Sequence, residues 1–265
     1  MRRSTPPATT HRRRRPRVRR AGVAVAVLGL GLGLVAAAIG GEGDGPRDAV
    51  RVRAAQGEPP LDPAQFSATV DNPLFPMSKL HFTRMRGSER DRESGRRISL
   101  RGRMRRLPAT TRVNGFPVTV VQDDEFEGGR LAEHTLDYFA QDQAGNVWYF
   151  GERIDNYEDG RVVGHEGQWL AGRRGARPGL FMPAHPALGD TFQQERAPGV
   201  AEDRSTVVAL GVRVTTPARV FRGCIKTKDF SPLDRTTEFK FYCPGVGIAR
   251  EIESPGTKFD VVSFG

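Results

Sequence analysis

The chain has 265 residues, a formal net charge of +10, an isoelectric point near 10.4 and two cysteines. The charge suggests a nucleic-acid partner only until its position is considered: the first 40 residues hold nine arginines and no acid, and beyond them 32 basic residues stand against 31 acidic ones. A polycationic body is therefore excluded, and nucleic acid is not expected as a partner.

The amino terminus reads as an export leader. An arginine-rich head, HRRRRPRVRR, precedes AGVAVAVLGLGLGLVAAAIGG, which carries no charge from Ala21 to Gly41. Positive charge stays on the cytoplasmic side while the apolar run enters the bilayer, so the remainder is expected outside the cytoplasm: secreted, periplasmic or anchored to the outer face of the cytoplasmic membrane. Ala36 to Ala38 offers the small residues of a cleavage site, yet the run approaches the length of a spanning helix. Both a cleaved signal peptide and a membrane anchor through residues 21–39 stay open. Residues 42–65, rich in Gly, Pro and charge, have the composition of a flexible linker. The third segment, 66–265, is long enough for one β domain with its own core.

Between Arg84 and Arg112 eleven arginines face only Glu89, Asp91 and Glu93. HFTRMRG and RRISLRGRMRR alternate arginine with apolar residues, which predicts two strands with a solvated face. Short β-branched and aromatic runs follow, separated by Gly, Pro, Asn and Asp, and no long segment has helical periodicity. Strands are expected over 116–122, 132–141, 147–154, 162–170, 191–196, 205–214, 222–230, 238–242, 248–253 and 258–263. Asp159-Gly160 suits a primed hairpin turn and Pro244-Gly245 a type II turn. The fold expected is all-β: a single curved antiparallel sheet or half-barrel built as a meander, preceded by an apolar helix and the linker.

Several stretches together carry a resemblance: DNPLFPM (71–77), DYFAQDQAGNVWYFGE (137–152), GARPGLFMPAHPALGD (175–190), QERAPGVAED (194–203) and YCPGVG (242–247). In these, and over about 71–252, the chain resembles an uncharacterised family of exported bacterial proteins. The resemblance implies a strongly curved antiparallel sheet similar to those of periplasmic lipid and lipoprotein carriers, and it implies no activity. The chain departs from the family pattern at Cys243, where a small residue is usual, and in its arginine content.

No nucleophile-and-base arrangement is legible, and no cofactor is implied. The histidines at 81, 134, 165 and 185 have no metal-ligand spacing, so no metal is expected. DNYEDG (155–160) resembles half a calcium loop, but its glycine falls where a hairpin turn needs it. His185, between two prolines, reads as a solvated loop residue. Cys224 and Cys243 flank a hairpin turning at SPLDRTT; either they form a disulfide after export, or a centred turn leaves them one pair out of register as separate thiols.

Strand arithmetic supplies the candidate surface. A five-residue loop over 142–146 pairs Gln141 with Val147, bringing Tyr138 opposite Phe150 and Leu136 opposite Glu152. A turn centred on Asp159-Gly160 then brings Phe150 opposite Trp169 and Ile154 opposite His165. Period-2 alternation puts His134, Tyr138, Trp148, Phe150, Glu152, His165 and Trp169 on one face. From that face the chain is expected to be a non-enzymatic exported module holding a hydrophobic ligand or an envelope partner chain. The alternatives are a hydrolase using Glu152 with His165 or His134, and a purely structural envelope protein.

Overall fold

The computed structural model describes residues 61–91, 94–253 and 256–265; the leader and most of the expected linker lie outside the described residues. The fold is all-β, one open antiparallel sheet with no α-helix among the described residues. A 3-10 turn, Pro63–Gln65, capped by the Asp62 side chain, leads into β1 (Phe66–Ser67). The strands continue as β2 (Phe82–Arg90), β3 (Arg97–Val113), β4 (Phe116–Glu127), β5 (Arg130–Asp142), β6 (Val147–Glu158), β7 (Arg161–Gly164), β8 (Trp169–Leu170) and β9 (Gly179–Met182). They end with β10 (Thr191–Gln193), β11 (Arg204–Thr215), β12 (Val220–Phe230), β13 (Thr237–Cys243), β14 (Gly247–Glu253) and β15 (Thr257–Phe264).

Along the sheet the order is β10-β11-β12-β13-β14-β15-β2-β3-β4-β5-β6-β7, with β1 on β5 and β8 and β9 on β6. Neighbours along this path are consecutive in the chain except at β15–β2, where the carboxyl-terminal strand pairs with the first long one; β1, β8 and β9 pair with strands that do not adjoin them in sequence. At one end of this path β10 approaches β9, which lies off the path on β6. Arg177, just before β9, donates its N–H to Arg196 O at 3.0 Å, and Gln194, just after β10, donates its side-chain amide to Phe181 O at 3.1 Å.

Local chemistry explains the turns. Asp159 (φ 47°) and Gly160 (φ 78°) both take the left-handed conformation that a two-residue primed hairpin requires, and Glu158 pairs with Arg161 around them. Three expected boundaries differ. The strand expected over 162–170 is two short strands, because the 165–168 segment turns, with Gln168 N bonded to His165 O at 3.3 Å. The one expected over 191–196 ends at Gln193. Phe230 pairs with Thr237, so the β12–β13 loop holds 231–236 and the cysteines stand directly opposite each other; Cys224 and Cys243 are joined, with Cα atoms 4.2 Å apart.

The core has two parts, one on each face of the sheet. On one face Phe75, Phe139, Tyr149, Phe181 and Tyr242 pack ring against ring, with Phe75 carried in by the segment before β2. On the other, Phe66 from β1 packs on Phe116, Trp148 and Phe150. The first is called the inner face here and the second the outer face.

Candidate functional site

The residues assigned to one face do not share it. The 142–146 loop has the expected register, with Gln141 opposite Val147, but a bulge on β6 intervenes: Phe139 pairs with Tyr149 and Asp137 with Glu152. Gly151 sits in this bulge at φ 108°, and a Cβ there would run into the Trp169 carbonyl of the overlying β8. Glycine at this point allows both the conformation and the close approach. One extra residue reverses the alternation downstream. Trp148 and Phe150 are outer, whereas Glu152 is inner and pairs with Trp169, whose ring lies 5.3 Å from that of inner Tyr149. The two tryptophans are therefore on opposite faces.

His134 and Tyr138 alternate with inner Asp137 and Phe139 along β5 and are outer. His134 Nδ1 contacts Asp124 Oδ1 at 2.7 Å, and His165 Nδ1 contacts Ile154 O at 2.7 Å and Asp155 Oδ1 at 3.0 Å. Glu152 thus has the sheet between itself and both histidines, which removes the expected pairing of Glu152 with either of them. Trp148 closes on Asp142 instead, its indole N–H donating to Oδ2 at 2.8 Å. His185 is exposed.

What the inner face gathers is acid. β4 sends in Asp123 and Glu125, β5 Glu133 and Asp137, and β6 Glu152, all buried. Two acidic pairs stand directly opposite each other, Glu125 with Glu133 and Asp137 with Glu152, an arrangement that like charges disfavour. Glu195, after β10, and Asp203, before β11, come in from the seam between β9 and β10. Across the interior Lys240 on β13 reaches Glu238 at 2.6 Å and Asp229 at 3.4 Å, with Glu251 opposite it on β14.

Some of these groups have the donors that burial demands and others do not. Tyr149 donates its hydroxyl to Asp137 at 2.7 Å, Thr135 to Glu133 at 3.0 Å and Ser205 to Asp229 at 2.6 Å. Glu152 Oε1, both oxygens of Glu195 and both of Glu251 have no hydrogen-bond partner, nor does the Tyr242 hydroxyl. The Trp169 indole N–H approaches Glu195 without closing a bond of normal geometry.

Electrostatics follow. Burial, reinforced by Glu195, Asp137 and Glu133, holds the Glu152 carboxyl well above its usual range. Burial and Asp203 do the same for Glu195, and burial with Asp137 and Glu133 for Asp123. Burial pushes Glu133 and Asp137 up to about 7. Burial opposes the charge of Lys240, but Glu238 and Asp229 win and hold its ammonium above the usual lysine range. On the outer face Asp124 is lowered: desolvation is outweighed by His134, Arg103 and Gln122. Chemically, the inner cluster either keeps its protons or exchanges them for a cation. Among the described residues no group of three or more His, Cys, Asp or Glu is arranged to hold a metal ion.

Asp123, Glu133, Asp137, Glu195, Lys240 and Glu251 are not among the residues that strand arithmetic singles out. Acids two apart in DDEFE, and a glycine inside VWYFGE, were the available signals: the first marks one strand face, the second a bulge. No family model matches the chain, and neither does any curated protein or solved structure.

Proposed function

We propose that the chain is an extracytoplasmic, non-enzymatic binding module whose curved, half-barrel sheet takes a small organic cation, of ammonium or guanidinium type, against its inner carboxylates. The observation that carries this reading is the pair Glu152 and Glu195, buried, mutually repelling and with unpartnered oxygens. A buried carboxylate without a partner is costly, and a donor-rich cation supplies charge and hydrogen bonds together. Glu195 lies beside the seam between β9 and β10, which the Arg177–Arg196 bond and Gln194 tie, and it is itself fully buried. A purely hydrophobic ligand is less well supported, because Phe75, Phe139, Tyr149 and Phe181 already fill the apolar part of the face. Export is supported by the leader sequence and agrees with the Cys224–Cys243 bond.

The test is thermal stability of the full chain at pH 7.5 with putrescine, free arginine, choline or calcium, beside native mass spectrometry of protein taken from its own envelope. An organic cation should raise the melting temperature, less so in Glu195→Gln, and appear as a bound mass. Stabilisation by calcium alone would move the site to metal chemistry. No stabilisation and no bound mass would leave a structural envelope protein.

A further inference from the structure

The face opposite the acidic interior carries the reverse charge. Cross-strand register brings Arg84 directly opposite Arg103, Arg86 opposite Arg101 and Arg90 opposite Arg97. Like charges in direct opposition weaken a strand pair, so three such pairs in one ladder need a compensating partner. Asp124 supplies part of one, bonding Arg103 at 2.5 Å. Strand alternation sends the nearby Glu89 and Glu127 to the inner side, in register with Ile98 and Leu100.

The patch is broader than the ladder. Lys258 on β15 and Lys226 and Lys228 on β12 point to the same side, as does Arg250 on β14, although Arg250 is largely buried and shares Asp260 with Lys258. It therefore crosses six adjacent strands, β12 to β3, about 24 Å at normal strand spacing. Half-buried rings are set between the cations: Arg84 lies over Phe82 at 5.0 Å, Arg101 over Phe126 at 5.6 Å and Lys226 over Phe239 at 3.8 Å.

We infer that this outer face of β12–β15, β2 and β3 docks on the anionic headgroups of a lipid leaflet. Guanidinium groups bind phosphate bidentately, and rings interleaved with cations are what an interfacial surface uses. Two dimensions of charge favour a leaflet over a single polyanionic chain, which would need one row. The chain also enters the domain on this side: Phe66 packs on Phe116, which alternates on β4 with Asp124 and Phe126, the partners of Arg103 and Arg101. A leader held in the bilayer would therefore be joined to the domain from the side that carries the patch. The docking face and the inner cation site lie on opposite sides of the sheet, so either can fail without the other.

The experiment places the full chain in nanodiscs of phosphatidylcholine, alone or mixed with phosphatidylglycerol, and measures phenylglyoxal modification of each arginine by mass spectrometry. Arg84, Arg86, Arg97 and Arg101 should react at least about fivefold more slowly in the anionic discs, and the difference should vanish near about 1 M salt, where the screening length is about 3 Å. The triple variant Arg84→Gln, Arg86→Gln, Arg101→Gln should lose the protection of Arg97. Equal reactivity in the two discs overturns the proposal for the unaltered protein, whatever the variant does. Protection by soluble polyphosphate in neutral discs, with none from phosphatidylglycerol, also overturns it in favour of a polymeric ligand.

Discussion

Inside the sheet the Tyr149 hydroxyl donates a 2.7 Å hydrogen bond to Asp137 Oδ1, and both residues are buried. Desolvation raises the Asp137 carboxyl to about 7 and this bond pulls it down, so the tyrosine stabilises mainly the ionised acid. Tyr149→Phe should therefore cost about 1–3 kcal/mol at pH 8 and less at pH 5, where the carboxyl is protonated. Urea unfolding at the two pH values checks it; an equal loss at both would mean that the hydroxyl matters only for packing.

The domain should be more stable in mild acid than at neutral pH. Glu133, Asp137, Glu238 and Glu253 are each raised to about 7 by burial first. A carboxyl raised on folding binds more protons in the native state, so its stabilisation is present below the unfolded value of about 4 and is lost as pH climbs to about 7. Asp124, which is lowered, works in the opposite direction, but only in more acidic solution. Glu133→Gln, a permanent stand-in for the protonated acid, should remove about 1–3 kcal/mol of the decline. A denaturant midpoint that rises from pH 5 to pH 7.5 would contradict the account.

Lys240 holds an ammonium among acids, 2.6 Å from Glu238 and 3.4 Å from Asp229. Lys240→Met should destabilise by about 3–5 kcal/mol near neutrality, since it leaves buried charge uncompensated. At pH 5 the Glu238 carboxyl, raised to about 7 by burial, can take a proton instead, and the loss should shrink. Equilibrium unfolding at both pH values measures the difference.

Reduction of the Cys224–Cys243 bond opens a loop closed across a sequence separation of 19. The expected loss is about 3 kcal/mol, read as a lower melting temperature in reductant. The Cys224→Ala, Cys243→Ala variant should melt with the reduced protein and show no response to reductant.

Trp148→Ala removes a ring that packs on Phe66 and donates to Asp142. Because these contacts hold β1 against the outer face, the variant should lose about 3–5 kcal/mol and expose the Leu61–Ser67 segment to proteolysis. Stabilisation by an inner-face cation should survive in it. Loss of ligand response without loss of stability would return Trp148 to the candidate ligand-binding residues.

Period, punctuation and composition were enough to determine the antiparallel β class, most strand positions, the Asp159-Gly160 turn and the five-residue loop at 142–146. Each of these depends on neighbours a few residues away, where turn chemistry and alternation act. Which face a residue occupies was decided elsewhere. β8 crossing over Gly151 sets the bulge that separates Trp148 from Trp169, and a single extra residue is enough because strand alternation has a period of two. Likewise, DDEFE on a solvated strand and DDEFE on a buried one are the same letters. Packing across the interior turned Asp123 and Glu125 into buried groups, with Asp123 among Glu133 and Asp137 of β5 and near Glu251 of β14, about 130 positions away in the chain.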